Sequence, residues 1–407
     1  MTARHPRVLI LSAYYFPFQG GVETHARAIA RDLAQHGADV TVVTRRRSDS
    51  AVSRETIDGI AVHRVPPGGP RTGPRKWLMI PFAFARMLSL RRTFDVIYCP
   101  GYQGIGFAAL AAGWWLGRPV VLRSGNLGVL TGWNWNAPLT RAGLNPESAV
   151  VRWLKARVRH VYLGADAFVA NCREIEREAV DAGVPPAHLH YLPNAVDTTR
   201  FRPVASAEER RAARRAVGWP EDGGVCLYVG RLSREKGVSE LLDAWKRLSP
   251  PNWTLWFVGP DMAGSSLDAG PAAREFVRTH GLDASVRFYG AIDDAAPLYR
   301  AADVYVLPSH YEAFSNSLIE AMGSGLPVVA TRIGGNLDAV SDEVNGLLAT
   351  PEDAADLSRQ LARVIGDADL RARLGARARE TVLRDFDTTV VFARFRTLFS
   401  GYARAGD

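Results

Sequence analysis

Seven residues separate Glu312 from Glu320, and the stretch Pro308-Ser309-His310-Tyr311-Glu312-Ala313-Phe314-Ser315-Asn316-Ser317 lies between an apolar run and a helical segment. N–H groups around Phe314 to Ser317, at the start of that helix, attract an anion such as phosphate. Two carboxylates close to that anion would repel it, so Glu312 and Glu320 are expected to accept hydrogen bonds from neutral hydroxyls on either side, as sugar and ribose supply. Ser317 and Glu320 also match a capping box, in which Glu320 only reaches back to its own helix start. That arrangement is worth about 1 kcal/mol and leaves Glu312 unexplained.

A second loop, Gly230-Arg231-Leu232-Ser233-Arg234-Glu235-Lys236-Gly237, follows the run Val225 to Val229. Gly230 lets the backbone turn, and Arg231 and Lys236 suit a diphosphate: a guanidinium binds oxygens as a fork, an ammonium adds a point charge. Glycine pairs stand at two further loops, Gly20-Gly21 after Tyr15 to Gln19, and Gly334-Gly335 after Pro327 to Ala330. Paired glycines at a helix start let backbone N–H groups approach an anion or a sugar. Each loop alone also fits a plain turn or a solvated basic segment; what argues for a site is that all of them follow strands. No strand is followed by Gly-x-Gly-x-x-Gly, which disfavours a nicotinamide oxidoreductase.

The elements that must hold these loops repeat one rhythm, a short β-branched run, a turn and an amphipathic helix, which marks βα units on a parallel sheet. Strands are expected at 7–12, 40–44, 96–99, 120–123, 167–170 and 189–192, with helices at 23–36, 105–116, 149–163 and 174–182. After Pro193-Asn194 the rhythm pauses, a basic helical stretch spans 208–217, and strands resume at 225–229, 255–258, 286–289, 304–307 and 327–330. The tail from Phe386 to Ala403 reads as one more amphipathic helix. Ligands bind such sheets at the carboxyl ends of the strands.

A chain of 407 residues favours two domains, and 47% apolar with 23% charged residues is ordinary for a globular protein. Cys99, Cys172 and Cys226 fit neither a disulfide framework nor a metal spacing and read as buried thiols. The apolar run 8–11 is too short for a signal-peptide core, and no run is long enough to span a bilayer, so a cytoplasmic location is expected. The formal charge of +8 calls for an anionic neighbour. Trp133-Asn134-Trp135-Asn136 with Arg141, Lys155, Arg157 and Arg159, and the stretch from Arg75-Lys76-Trp77 to Arg91-Arg92, would suit sugar stacking and a peripheral contact with an anionic membrane.

Glu312 and Glu320 at this spacing, Gly230-Arg231-Leu232 with Lys236-Gly237, Gly20-Gly21-Val22-Glu23, Leu192-Pro193-Asn194-Ala195-Val196-Asp197 and Gly334-Gly335 together resemble the retaining family-four glycosyltransferases of the GT-B fold, over nearly the whole chain. The resemblance implies an α/β protein with two Rossmann-like, doubly wound domains facing a central cleft. Residues 1–200 would bind the acceptor and 201–384 the nucleotide-sugar donor, with a C-terminal helix in 385–407 packing back across the N-terminal domain. It further implies catalytic roles for Glu312, Arg231 and Lys236: the two cations on the donor diphosphate, Glu312 on the transferred sugar. Glu320 would hold the ribose hydroxyls, Gly20 and Gly21 the phosphate or acceptor side, and Phe314, Ser315, Asn316 and Asn194 would complete the substrate site. No metal or other cofactor is required, and the departing phosphate helps to remove the acceptor proton. The implied acceptor is a cell-envelope or exopolysaccharide glycan or a lipid-linked precursor, reached from the inner face of the membrane; nucleic acid is not an expected partner. Many members place a His after the fifth strand where this chain has Arg123-Ser124-Gly125-Asn126, and Asp338 stands where the family often has Glu.

Two other functions share these features. A nucleotide-sugar epimerase of the same architecture binds the same donor but needs acid and base groups around the sugar and no acceptor. A non-catalytic sugar-nucleotide-binding protein would retain the fold without turnover.

Overall fold

Runs that are apolar at every position must be covered on both faces, and Val8 to Leu11 and Val304 to Val306 are fully buried strands. The computed structural model describes residues 5–18, 20–47, 52–69 and 77–403. It divides into two units, Met1–Pro193 with Val391–Asp407, and Asn194–Val390.

The first unit holds strands β1 (Arg7–Ser12), β2 (Asp39–Arg45), β3 (Arg54–Ile57), β4 (Ile60–Val65), β5 (Val96–Pro100), β6 (Val120–Ser124), β7 (Ala167–Ala170) and β8 (Leu189–Tyr191). They form one sheet in the order β3-β4-β2-β1-β5-β6-β7-β8, parallel except for the β3–β4 hairpin. The second unit holds β9 (Gly224–Val229), β10 (Trp253–Val258), β11 (Val286–Gly290), β12 (Val304–Leu307), β13 (Val328–Thr331) and β14 (Leu347–Ala349). Its sheet is wholly parallel, in the order β11-β10-β9-β12-β13-β14. Both orders reverse direction once, between β1 and β5 and between β9 and β12. At such a reversal the outgoing loops part toward opposite faces and leave a crevice at the carboxyl edge.

The expected strands are all present, within a residue or two at their ends; β3, β4 and β14 were not expected. β4 hides because His63 and Arg64 interrupt its apolar pattern. Arg64 is nonetheless buried, ion-paired with Glu55 and donating from Nη2 to the Phe16 carbonyl at 2.6 Å. The division falls at Pro193 and Asn194 rather than at 200, because the chain beyond it is tied to the second unit: Val196 N donates to Phe386 O at 2.9 Å. At the other end, helix Ala368–Asp385 closes before a separate helix, Thr388–Ser400, begins. From Val391 onward that helix belongs to the first unit, where Phe395 packs 5.4 Å from His25 and Arg396 binds Asp32 at 2.6 Å. All three cysteines are buried. Among the described residues, no helix is long and apolar enough to cross a membrane.

Candidate functional site

The two motif loops of the second unit leave β9 and β12, the strands that flank its reversal point. β9 runs out through Gly230, and Tyr228 pins the exit by donating from its hydroxyl to the Arg231 carbonyl at 2.7 Å. A helical turn, Arg234–Lys236, then closes at Gly237, which has φ +67. A Cβ there would lie 2.0 Å from the Pro308 carbonyl oxygen, so only glycine seats the β9 loop on the β12 loop. This contact brings Lys236 to Glu312. Their side chains form an ion pair, 17% and 12% exposed, and Ser309 Oγ donates to the same carboxylate oxygen at 3.2 Å. Arg231 takes a different direction: half exposed, it reaches Glu235 at 2.8 Å and the Met262 sulfur at 3.7 Å.

The loop after β13 completes the packing. Gly335 N donates to the Glu312 carbonyl at 3.2 Å, and a Cβ on Gly335 would fall 1.8 Å from the Ala313 carbonyl oxygen. The second glycine pair therefore serves as a close-packing surface for the glutamate loop.

Helix Asn316–Gly323 is capped by Ser315, whose Oγ accepts from Leu318 N at 3.4 Å. The capping box read at Ser317 and Glu320 is thereby corrected, since the helix starts two residues earlier and Glu320 does not return to it. Ser317 Oγ instead accepts from the Tyr305 hydroxyl at 2.7 Å and lies 3.1 Å from Ser315 Oγ. Glu320 accepts from the Tyr299 hydroxyl at 3.0 Å. Part of its side chain reaches the surface, yet enough protein surrounds the carboxyl for desolvation to push its pKa up to about 7, against the opposing pull of the Tyr299 hydrogen bond. Burial also raises the phenols of Tyr299 and Tyr305.

Asn194 joins this group from the far end of the unit's sequence, donating from Nδ2 to the Phe314 carbonyl at 3.2 Å and to Asn316 Oδ1 at 2.7 Å. Phe314 turns its ring into the core, 5.3 Å from Phe386. Thus Lys236 meets Glu312, Asn194 meets Phe314 and Asn316, Glu320 sits one turn along the same helix, and Arg231 stays at the rim. Gly20 and Gly21 belong to the first unit, where the chain leaves β1: Gly20 is extended and its carbonyl accepts from Thr24 N at 2.9 Å as helix Gly21–Gln35 begins.

Sequence reasoning passed over Tyr299 and Tyr305, which look like core aromatics because nothing in their spacing announces where their hydroxyls go. It also passed over Glu178, on helix Arg173–Asp181 of the first unit. That carboxylate accepts from the backbone N–H groups of Gly128, Leu130 and Thr131 at 2.8, 3.1 and 3.0 Å and from Thr131 Oγ1 at 3.0 Å. It holds the loop after β6, the second strand from the reversal point on that side. The same loop walls a pocket of about 310 Å³ whose polar and aromatic lining is Thr131, Trp133, Asn136, Glu147, Arg152, Lys155 and Arg159. Lys155 Nζ donates to Asn136 Oδ1 at 2.7 Å. Gln19, Arg75, Lys76 and the side chain of Arg141 lie outside the described residues. Among the described residues, no group of three or more His, Cys, Asp or Glu side chains could hold a metal ion.

Residues 20–195 match the family described as "Glycosyl transferase 4-like domain", and residues 209–381 match "Glycosyl transferases group 1". The D-inositol 3-phosphate glycosyltransferase of Salinispora arenicola is 31% identical, over 92% of this chain and 88% of its own. The mannosylfructose-phosphate synthase of Agrobacterium fabrum is 29% identical, over 92% and 86%. Among solved structures, the sucrose-phosphate synthase of Thermosynechococcus elongatus superposes with a TM-score of 0.78 at 25% identity, over 97% of this chain and 98% of that one.

Proposed function

The chain belongs to the family-four glycosyltransferases of the GT-B fold, and from that premise we propose that it moves a sugar from a nucleoside-diphosphate-sugar to a hydroxyl of a phosphorylated acceptor, with retention at the anomeric carbon. The observation that carries the donor assignment is the meeting of Lys236 and Glu312 at the β9–β12 reversal point, beside a helix N-terminus. A diphosphate there takes Lys236 from one side, Arg231 from the rim and the free N–H groups of the helix start from below. The sugar next to it offers Glu312 hydroxyls, and the ribose offers them to Glu320.

In the proposed step the acceptor oxygen attacks the anomeric carbon on the face from which the diphosphate departs. The sugar–phosphate C–O bond breaks with its electron pair passing to phosphate, and the leaving phosphate takes the acceptor's proton. Lys236 and Arg231 offset the charge that develops on it, a fixed electrostatic contribution of the kind that dominates such sites. No metal enters this step.

An anionic acceptor is supported by three cations, Arg152, Lys155 and Arg159, against one acid, Glu147, in the pocket beside the β6 loop. The names of the relatives also point to sugar or inositol phosphates. A free sugar phosphate and a lipid-linked cell-envelope or exopolysaccharide precursor share this phosphate chemistry. A thermal-shift screen of UDP, GDP and ADP, followed by turnover of the matching sugars with inositol phosphate, hexose phosphates or a polyprenyl-pyrophosphate sugar, separates the two sources. Product NMR showing inversion, or isomerisation of the donor when no acceptor is added, would overturn the reading.

A further inference from the structure

Three tryptophans stand out of the first unit's surface: Trp114 is 82% exposed, Trp115 66% and Trp153 58%. Trp114 and Trp115 end helix Gly106–Leu116, and Trp153 lies on helix Ala149–Tyr162, which packs beside it. Helix Ala149–Tyr162 buries one stripe, with Val151 and Tyr162 in the core. A second stripe, Val150, Trp153, Leu154, Arg157 and Val161, recurs at helical spacing and faces outward, with Val150 75% and Val161 44% exposed. The two exposed sets meet at Val161. Phe107, Leu110 and Trp114 from one helix and Val161 from the other line a single groove of about 830 Å³.

The charge around this face is mainly positive. Helices Met79–Ser89, Gly106–Leu116 and Ala149–Tyr162 contain no Asp or Glu. Arg157 lies over the Trp153 ring at 5.4 Å, and Arg118, ion-paired with Asp95 at 3.7 Å, lines the groove while donating to the Arg91 carbonyl at 3.3 Å, which places the exposed Arg91 and Arg92 at the same end. The one acid on the groove, Asp166, accepts from Val120 N at 2.8 Å. A second copy of the chain is a poor occupant, because a two-fold contact would bring together two faces whose helices carry Arg157 and no acid to meet it. An anionic bilayer suits every part: tryptophan prefers the headgroup layer, apolar side chains enter the acyl boundary, and arginine meets lipid phosphate.

We propose that helices Gly106–Leu116 and Ala149–Tyr162 seat the first unit on an anionic lipid surface, with Trp114, Trp115 and Trp153 entering the headgroup layer and Arg157 meeting lipid phosphate. Arg157 and the Arg91-Arg92 end of the stretch 75–92 were already suggested by sequence alone, whereas Trp114, Trp115 and Trp153 were not, and the contact does not depend on which acceptor the enzyme uses.

The test is co-sedimentation of the full chain with vesicles of phosphatidylcholine alone or with about one third phosphatidylglycerol, at low salt and at high salt. Binding is expected only to the anionic vesicles and is expected to weaken with salt. W114S/W115S/W153S should lower the partition coefficient about tenfold or more, and R157E should weaken it at low salt only. The triple variant should keep the parent's melting temperature and its turnover of a soluble acceptor, which separates lost docking from lost folding. Absence of binding to anionic vesicles at low salt, or equal binding by the triple variant, would overturn the proposal. So would a concentration-dependent dimer that the tryptophan changes dissolve.

Discussion

The two units share a strand order around their reversal points but hold their strand-end loops by different means. In the second unit, backbone presses on backbone: Gly237 sits under Pro308 and Gly335 under Ala313, so close that a single added carbon would collide with a carbonyl oxygen. In the first unit the loop after β6 hangs on one side chain, Glu178, reaching across from another helix. Backbone-on-backbone packing fixes geometry rigidly and tolerates no change of residue. A carboxylate cradling N–H groups sets a position that other residues can replace. On the proposed reading, the half that binds the donor is built the first way and the half that binds the acceptor the second, which suits a scaffold whose nucleotide chemistry stays constant while its acceptor varies.

The sharpest way to break this contrast is at Lys236. Lys236→Ala should lower kcat by roughly a hundred- to a thousand-fold, the scale for losing one preorganised charge, in a protein that still folds. Unchanged single-turnover rates would remove Lys236 from the reaction. Gly335→Ala comes next: the Ala313 carbonyl must move, costing about 1–3 kcal/mol by chemical denaturation and displacing Glu312, so that nucleotide no longer raises the melting temperature. A mutant with parental nucleotide binding would show that the close approach is dispensable.

Glu178→Gln probes the other half. It weakens a charge-assisted set of hydrogen bonds and should raise the acceptor KM about tenfold, leaving kcat and nucleotide affinity near the parent's. Equal losses on the donor side would erase the distinction between the units.

The smallest effect is expected at Glu320. Its pKa rises from 4.5 to about 7 in the fold, so the native state holds a proton that the unfolded chain releases, and stability should decline as pH rises through that window. Glu320→Gln should flatten this decline and weaken donor affinity more than it slows turnover. A parental pH–stability slope in the variant would show that another group titrates there.

Much of the second unit was legible in advance because its site is local: a strand, a glycine, a cation and a glutamate each fall within one loop, and apolar runs announce the strands. The Lys236–Glu312 pair was not, since residues 76 positions apart meet only through a contact at Gly237 that leaves no periodic trace. Position Ser317 misled because a capping box depends on where the helix starts, and Ser315 starts it. Glu178 and the hydroxyls of Tyr299 and Tyr305 stayed hidden for the same reason as β4: their partners are distant in sequence, and a polar group inside a regular element looks solvated until the fold buries it.

The ion pair at the heart of the second unit has one more implication. Lys236 and Glu312 already quench each other, so an intruding anion that captures the ammonium strands the carboxylate. Only a molecule that brings hydroxyls along with its negative charge can console both partners at once. On the proposed reading, bare phosphate and pyrophosphate are thus poor competitors, and the protein screens for sugar and phosphate joined together before any bond is broken.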